Sequence, residues 1–110
     1  MIEVEDKQGL DAELKKNKKV LVLFHASWCS FCRRFVPVFD ESTTNFGGDV
    51  MRVLLDDYGN PLWDDYSIGA VPTVILFEEG KVYRRLDGRL SMGLSEKQFK
   101  TWIDKLECDK

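Results

Sequence analysis

Trp28-Cys29-Ser30-Phe31-Cys32, set directly behind the apolar run Val20-Leu21-Val22-Leu23-Phe24, decides how this chain is read. Five consecutive apolar residues have the length of a strand but not the alternation of one with a wet face, so the run reads as a central strand covered on both sides. A helix over residues 30–45 should follow, with Cys32, Phe35, Val36 and Phe39 at the i, i+3, i+4, i+7 spacing. That order puts Cys29 at a helix N-terminus, where unpaired N–H groups and the helix dipole favour a thiolate. Cys32 lies one turn further on, within reach of a disulfide. Such a pair can carry two electrons between proteins: Cys29 attacks a partner's disulfide, and Cys32 then attacks Cys29 to release the reduced partner.

Leu10 and Leu14 mark a short amphipathic helix over residues 9–17. Pro37 lies inside the helix that carries the cysteines, where it removes a backbone donor, and Gly47-Gly48 ends that helix. Residues 50–55 read as a second buried strand with Asp56-Asp57 at its carboxyl end. Asn60-Pro61 opens a short helix over 61–66, and residues 73–77 form a third apolar strand. Glu79-Gly80 turns the chain into an antiparallel strand over 81–86. Ser95 and Gln98 form a capping box ahead of a helix with Phe99, Trp102, Ile103 and Leu106 on one face. Helices alternating with strands and closing on a hairpin imply an α/β fold, a mixed sheet of four to five strands with helices on both faces.

The 110 residues suit a single domain spanning 1–110, and 44% apolar with 32% charged residues is ordinary for a globular protein. A net charge of −3 argues against nucleic acid as a partner, and the one basic run, Lys15-Lys16 with Lys18-Lys19, falls where a helix ends. No stretch approaches the roughly 20 apolar residues of a membrane span. The start, Met1-Ile2-Glu3-Val4-Glu5-Asp6, is acidic and unlike a signal peptide, which reads as cytoplasmic unless a leader has been removed.

Three cysteines are too few for a disulfide scaffold. A zinc site needs four ligands, and beyond the pair the chain offers only His25 and Cys108, so no metal is expected. Asp56-Asp57 and Asp64-Asp65 lack the spacing of a calcium loop and read as solvated surface. Cys108, near the C-terminus, reads as an exposed, incidental thiol. Between the cysteines, Ser30 could donate a hydroxyl to the Cys29 sulfur, and Phe31 should project as an exposed aromatic that grips a partner; both are equally compatible with ordinary loop filling.

The apolar strand, Trp-Cys-x-x-Cys, the helix with Pro37 and the stretch Val71-Pro72-Thr73 before the third strand together resemble the thioredoxin family over nearly the whole chain. The resemblance implies a thioredoxin fold and a protein-disulfide oxidoreductase that uses no cofactor beyond its own Cys29–Cys32 disulfide. It places Trp28 as the active-site tryptophan and Pro72 as a cis-proline that, with Val71, holds a substrate's backbone beside the cysteines. Gly88 would line the substrate groove, with residues 89–92 as a small insertion after it. The implied partners are disulfide-containing proteins and an external thiol reductase or other electron donor, the protein itself being a monomer.

The departures are local. Common thioredoxins carry Gly-Pro where this chain has Ser30-Phe31. They place a buried acid, the proton acceptor of the second cysteine, where this chain has Leu23, and its lysine partner falls on Arg52 or Val53. His25 replaces a tryptophan and lies four residues before Cys29; it is either a proton-exchanging group or a strand-end histidine held by a hydrogen bond. The leading reading is a reductant of protein disulfides. The alternatives are an oxidant or isomerase of an exported folding pathway, or a thioredoxin-fold redox sensor or binding module with little turnover.

Overall fold

In the computed structural model of the chain, which describes residues 1–90 and 92–108 without the side chains of residues 107 and 108, the apolar run lies inside strand β2 (Lys19–His25). Before it come β1 (Ile2–Val4) and α1 (Lys7–Lys16). After it come α2 (Ser30–Ser42), β3 (Asp49–Leu54), α3 (Leu62–Asp65), β4 (Thr73–Glu78), β5 (Lys81–Asp87) and α4 (Glu96–Cys108). The strands form one sheet in the order β1-β3-β2-β4-β5. β1 and β2 run parallel to β3, whereas β4 is antiparallel to both β2 and β5.

β2 is central, and its run of apolar residues serves two cores at once. Val20, Val22 and Phe24 join Leu10 and Leu14 of α1, Leu62 and Trp63 of α3, and Ile75 and Phe77 of β4. Leu21 and Leu23 point the other way, into Phe35 and Phe39 of α2, Phe99 and Ile103 of α4, and Val74 and Leu76 of β4. Side chains alternate across a strand, so a strand between two helical layers must be apolar at every position.

The termini of the elements follow their capping chemistry. Asp6 accepts from Gly9 N at 2.7 Å and starts α1 two residues before the helix read from the leucines; Lys15 and Lys16 fall in its last turn. Ser95 and Gln98 exchange two hydrogen bonds, Ser95 N to Gln98 Oε1 at 2.9 Å and Gln98 N to Ser95 Oγ at 3.1 Å, as a capping box should. Glu79 and Gly80 both adopt positive φ, the backbone of a tight hairpin turn.

One element has no counterpart in the sequence reading. That order starts with a helix, but the chain begins with β1, three residues paired in register with Met51, Arg52 and Val53. So short a strand, with both faces largely exposed, carries no apolar period to read. No described helix is long and apolar enough to cross a membrane. The thiol of Cys108 lies outside the described residues' side chains.

Candidate active site

The carboxyl end of β2 delivers the chain into α2 with Cys29 as the helix cap. Its sulfur accepts the backbone N–H of Cys32 at 3.3 Å, one of the donors a helix start leaves free. That bond comes from the backbone, not from the Ser30 hydroxyl. The Cys29 Sγ also lies 3.6 Å from the carbonyl oxygen of Val71, to which the thiol donates. Both cysteines are free and belong to the core on the α1 side of the sheet.

The two thiols are unequal. Cys32 is 1% exposed and Cys29 is 8% exposed. Burial, then the bond to Cys29, pushes the Cys32 thiol up to about 12 from an ordinary 9.0. Cys32 therefore holds its proton at neutral pH, and Cys29 is the sulfur that lines a groove. That groove, of about 160 Å³, is bounded by Trp28, Cys29, Phe31, Val71 and Leu90, with Tyr58 and Trp63 at one side. A dithiol with one sulfur at the groove and the other fully buried and protonated can attack a disulfide with the first and close on the second.

The loop before Cys29 is tied to the end of β3. Asp56 accepts Ser27 N and Ser27 Oγ, each at 2.7 Å, and its carbonyl accepts the Trp28 indole N–H at 2.9 Å. The bonds from Ser27 hold the Asp56 carboxyl below the usual carboxylate range. The sequence reads Asp56 as solvated surface; it is exposed, yet it fixes the loop that carries the nucleophile. Trp28 packs against Tyr58 at 5.2 Å between ring centroids, and Tyr58 stacks on Trp63 at 5.0 Å. Sequence reasoning missed Tyr58 and Trp63, and only the gathering of aromatics within a few residues of Asp56-Asp57 hinted at them.

Across the groove, the Val71-Pro72 bond is cis, as the family resemblance implied. Thr73, fully buried, donates to Ala70 O at 2.7 Å and accepts from Gly88 N at 3.3 Å, so one hydroxyl joins this loop to the end of β5. A Cβ on residue 88 would collide with the Pro72 carbonyl oxygen, so only glycine fits there. Trp28, Phe31 and Val71 line the groove with Cys29; Pro72 and Gly88 pack on each other behind it.

Phe31 departs from expectation. It is half-buried, not exposed, because it packs on the core and against Gly93, whose φ of 64° and missing Cβ leave room for the ring. The exposed aromatics at the site are Trp28 and Tyr58.

On the other face of the sheet, Leu23 is fully buried and pairs in register with Arg52. That register puts Arg52 directly opposite Leu23, whereas Val53 points into the opposite core. The Arg52 guanidinium donates to Asp40 Oδ2 at 3.0 Å, and its Nε lies 3.3 Å from Glu3 Oε1 without the alignment of a hydrogen bond. His25 Nε2 is 2.8 Å from the same Glu3 oxygen. Among the described residues, no hydrogen bond links His25 to either thiol, and no cluster of His, Cys, Asp and Glu is arranged to hold a metal ion.

The chain matches the family model described as Thioredoxin over residues 1–105. A thioredoxin of Mycoplasmoides gallisepticum is 39% identical over 83 residues, 74% of this chain and 82% of that protein. A bifunctional thioredoxin reductase/thioredoxin of Mycobacterium leprae is 34% identical over 88 residues, 79% of this chain and 19% of that protein. Among solved structures, a mutant thioredoxin from Halobacterium salinarum superposes with a TM-score of 0.72 at 27% identity, over 94% of this chain and 88% of that one.

Proposed function

Because the chain belongs to the thioredoxin family, its chemistry is thiol–disulfide exchange, and we propose that it reduces protein disulfides with Cys29 attacking and Cys32 resolving. The observation that carries this assignment is the inequality of the sulfurs: Cys29 caps α2, receives the Cys32 N–H and opens on the groove, while Cys32 is buried and protonated. The Cys29 thiolate attacks one sulfur of a substrate disulfide, forming a mixed disulfide and expelling the other sulfur as a thiolate. Cys32 then loses its proton and attacks the Cys29 sulfur, which releases the substrate's second thiolate and leaves a Cys29–Cys32 disulfide.

Trp28 and Val71 line the groove with Cys29 and would flank the incoming sulfur. Each turnover consumes two electrons, so an external reductase must return the pair to the dithiol. The relative in which a thioredoxin is joined to a thioredoxin reductase supports that class of donor. Such work suits a monomer in a reducing compartment such as the cytoplasm.

The deciding experiment equilibrates the protein in glutathione buffers and measures the Cys29–Cys32 disulfide. A potential near about −270 mV is expected of a reductant, and one between about −180 and −120 mV would assign the site to isomerisation or oxidation instead. Cys29→Ser should abolish reduction of a protein disulfide.

A further inference from the structure

The surface around the nucleophile does not end at Phe31. The half-buried ring is a ridge: on one side lies the groove that contains Cys29, and on the other a groove of about 530 Å³ between the first turns of α2 and the segment that enters α4. Phe31 and Arg89 line both, so the two grooves adjoin. The ridge is fixed in place, since Gly93 already stands against the Phe31 side chain.

The second groove combines apolar side chains, Val38 and Met92 among them, with two guanidinium groups, Arg34 and Arg89. Arg34 is held over the Phe31 ring, 5.4 Å from its centroid, which keeps the charge beside the ridge. Glu96 also lines this groove, but its carboxylate pairs with Lys100 at 2.9 Å. Among the described residues, neither Arg34 nor Arg89 is in an ion pair. A protein with a net charge of −3 thus gathers uncompensated positive charge within one groove of its reactive thiol.

We propose that this groove is a second subsite for the polypeptide substrate, taking a segment next to the substrate's cysteine that carries Asp or Glu side chains. A chain whose disulfide sits on Cys29 and whose backbone crosses Phe31 enters the groove. Its apolar side chains cover Val38 and Met92, and its carboxylates meet two guanidinium forks suited to them. A volume of about 530 Å³ holds several side chains, which fits a peptide segment and not a single group. The inference rests on thiol–disulfide exchange at Cys29 and adds the class of substrate preferred.

The test uses the reduced full chain and synthetic peptides that each close one disulfide loop, with three glutamates placed before or after the loop, against peptides with glutamine at the same positions. For one placement, kcat/KM should favour glutamate about fivefold to tenfold at low salt, as two exposed charge pairs allow. The preference should shrink to under about twofold in 0.5 M salt and in the Arg34→Gln/Arg89→Gln variant, return in part with Arg34→Lys, and reverse with Arg34→Glu. Equal rates for both placements, or a preference that survives the double variant, would overturn the subsite. Binding of the same peptides to the Cys29→Ser chain, followed by titration calorimetry, separates the two readings. A glutamate preference in Kd without disulfide reduction by the native chain would leave the subsite standing and remove the exchange reaction. Reduction without any preference would do the opposite.

Discussion

Leu23 lies directly across the β2–β3 pairing from Arg52, and the Arg52 guanidinium is held by Asp40 of α2 at 3.0 Å. The position at which the family keeps a buried acid is thus filled by a hydrocarbon, and the cation opposite it is neutralised from another element. No carboxylate at residue 23 is available to take the Cys32 proton.

The resolving step should therefore follow the thiolate fraction of Cys32. Burial, the largest cause that raises its pKa, persists when Cys29 is tied up in the mixed disulfide, and a thiol so raised gains thiolate tenfold per pH unit. Resolution of a trapped mixed disulfide, followed by stopped flow, should accelerate about tenfold per unit between about pH 6 and 8.5. A plateau near neutrality would reveal a protein base and refute the expectation. Leu23→Asp should raise the rate at pH 7 and flatten the slope, while lowering stability by about 2–4 kcal/mol because a polar group enters an apolar core.

Asp56→Ala removes both acceptors of the Ser27 loop. The indole N–H resonance of Trp28, followed by NMR, should shift toward that of a free indole, and kcat/KM for a protein disulfide should fall about tenfold, since a misplaced nucleophile loses its approach geometry. In the native chain the Asp56 carboxyl is depressed below its ordinary 3.8. Its hold on the loop is thus present above that value and lost as pH falls through the lower, folded-state pKa. An unchanged Trp28 spectrum in the variant would show that the loop needs no such tie.

Gly88→Ala should lower stability by about 1–3 kcal/mol, because the new methyl meets the Pro72 carbonyl oxygen and one of the two backbones must move. Chemical denaturation measures the loss. Since the same movement displaces the wall behind Val71, turnover should fall with it. A variant of native stability would mean that the close approach is not enforced.

His25→Phe should leave the thiolate absorbance of Cys29 unmoved across pH. The imidazole Nε2 is engaged by Glu3, and the variant should instead lose about 1 kcal/mol of stability with that bond. A displaced titration curve would place His25 in the proton pathway.

The fold was legible where one physical demand dominated. Val20 to Phe24 had to be apolar throughout because two helical layers cover β2, and Ser95 with Gln98 announced a helix start by their own side chains. β1 was not legible because a three-residue strand that sets only Val4 against the core carries no apolar period. The same limit applies at the site. Cys29 and Cys32 stand out by spacing, but Asp56, Tyr58 and Trp63 act through loop geometry that no period encodes. The burial of Phe31 depends on the missing Cβ of Gly93, far along the chain, and no local pattern announces it. That Arg52, and not Val53, faces Leu23 became visible only with the strand register.

Cys29 and Cys32 are members of the same buried cluster as Leu10, Phe24 and Trp63. Electron transfer and folding therefore form one thermodynamic cycle. Whatever free energy the closed pair adds to the native fold relative to the open pair is also the amount by which folding favours the disulfide over the dithiol. Any substitution that loosens this cluster unequally in the two states will move the reduction potential, even one that lies far from either sulfur. The stability difference between the two redox forms then equals the gap between the glutathione equilibria of the folded and the unfolded chain.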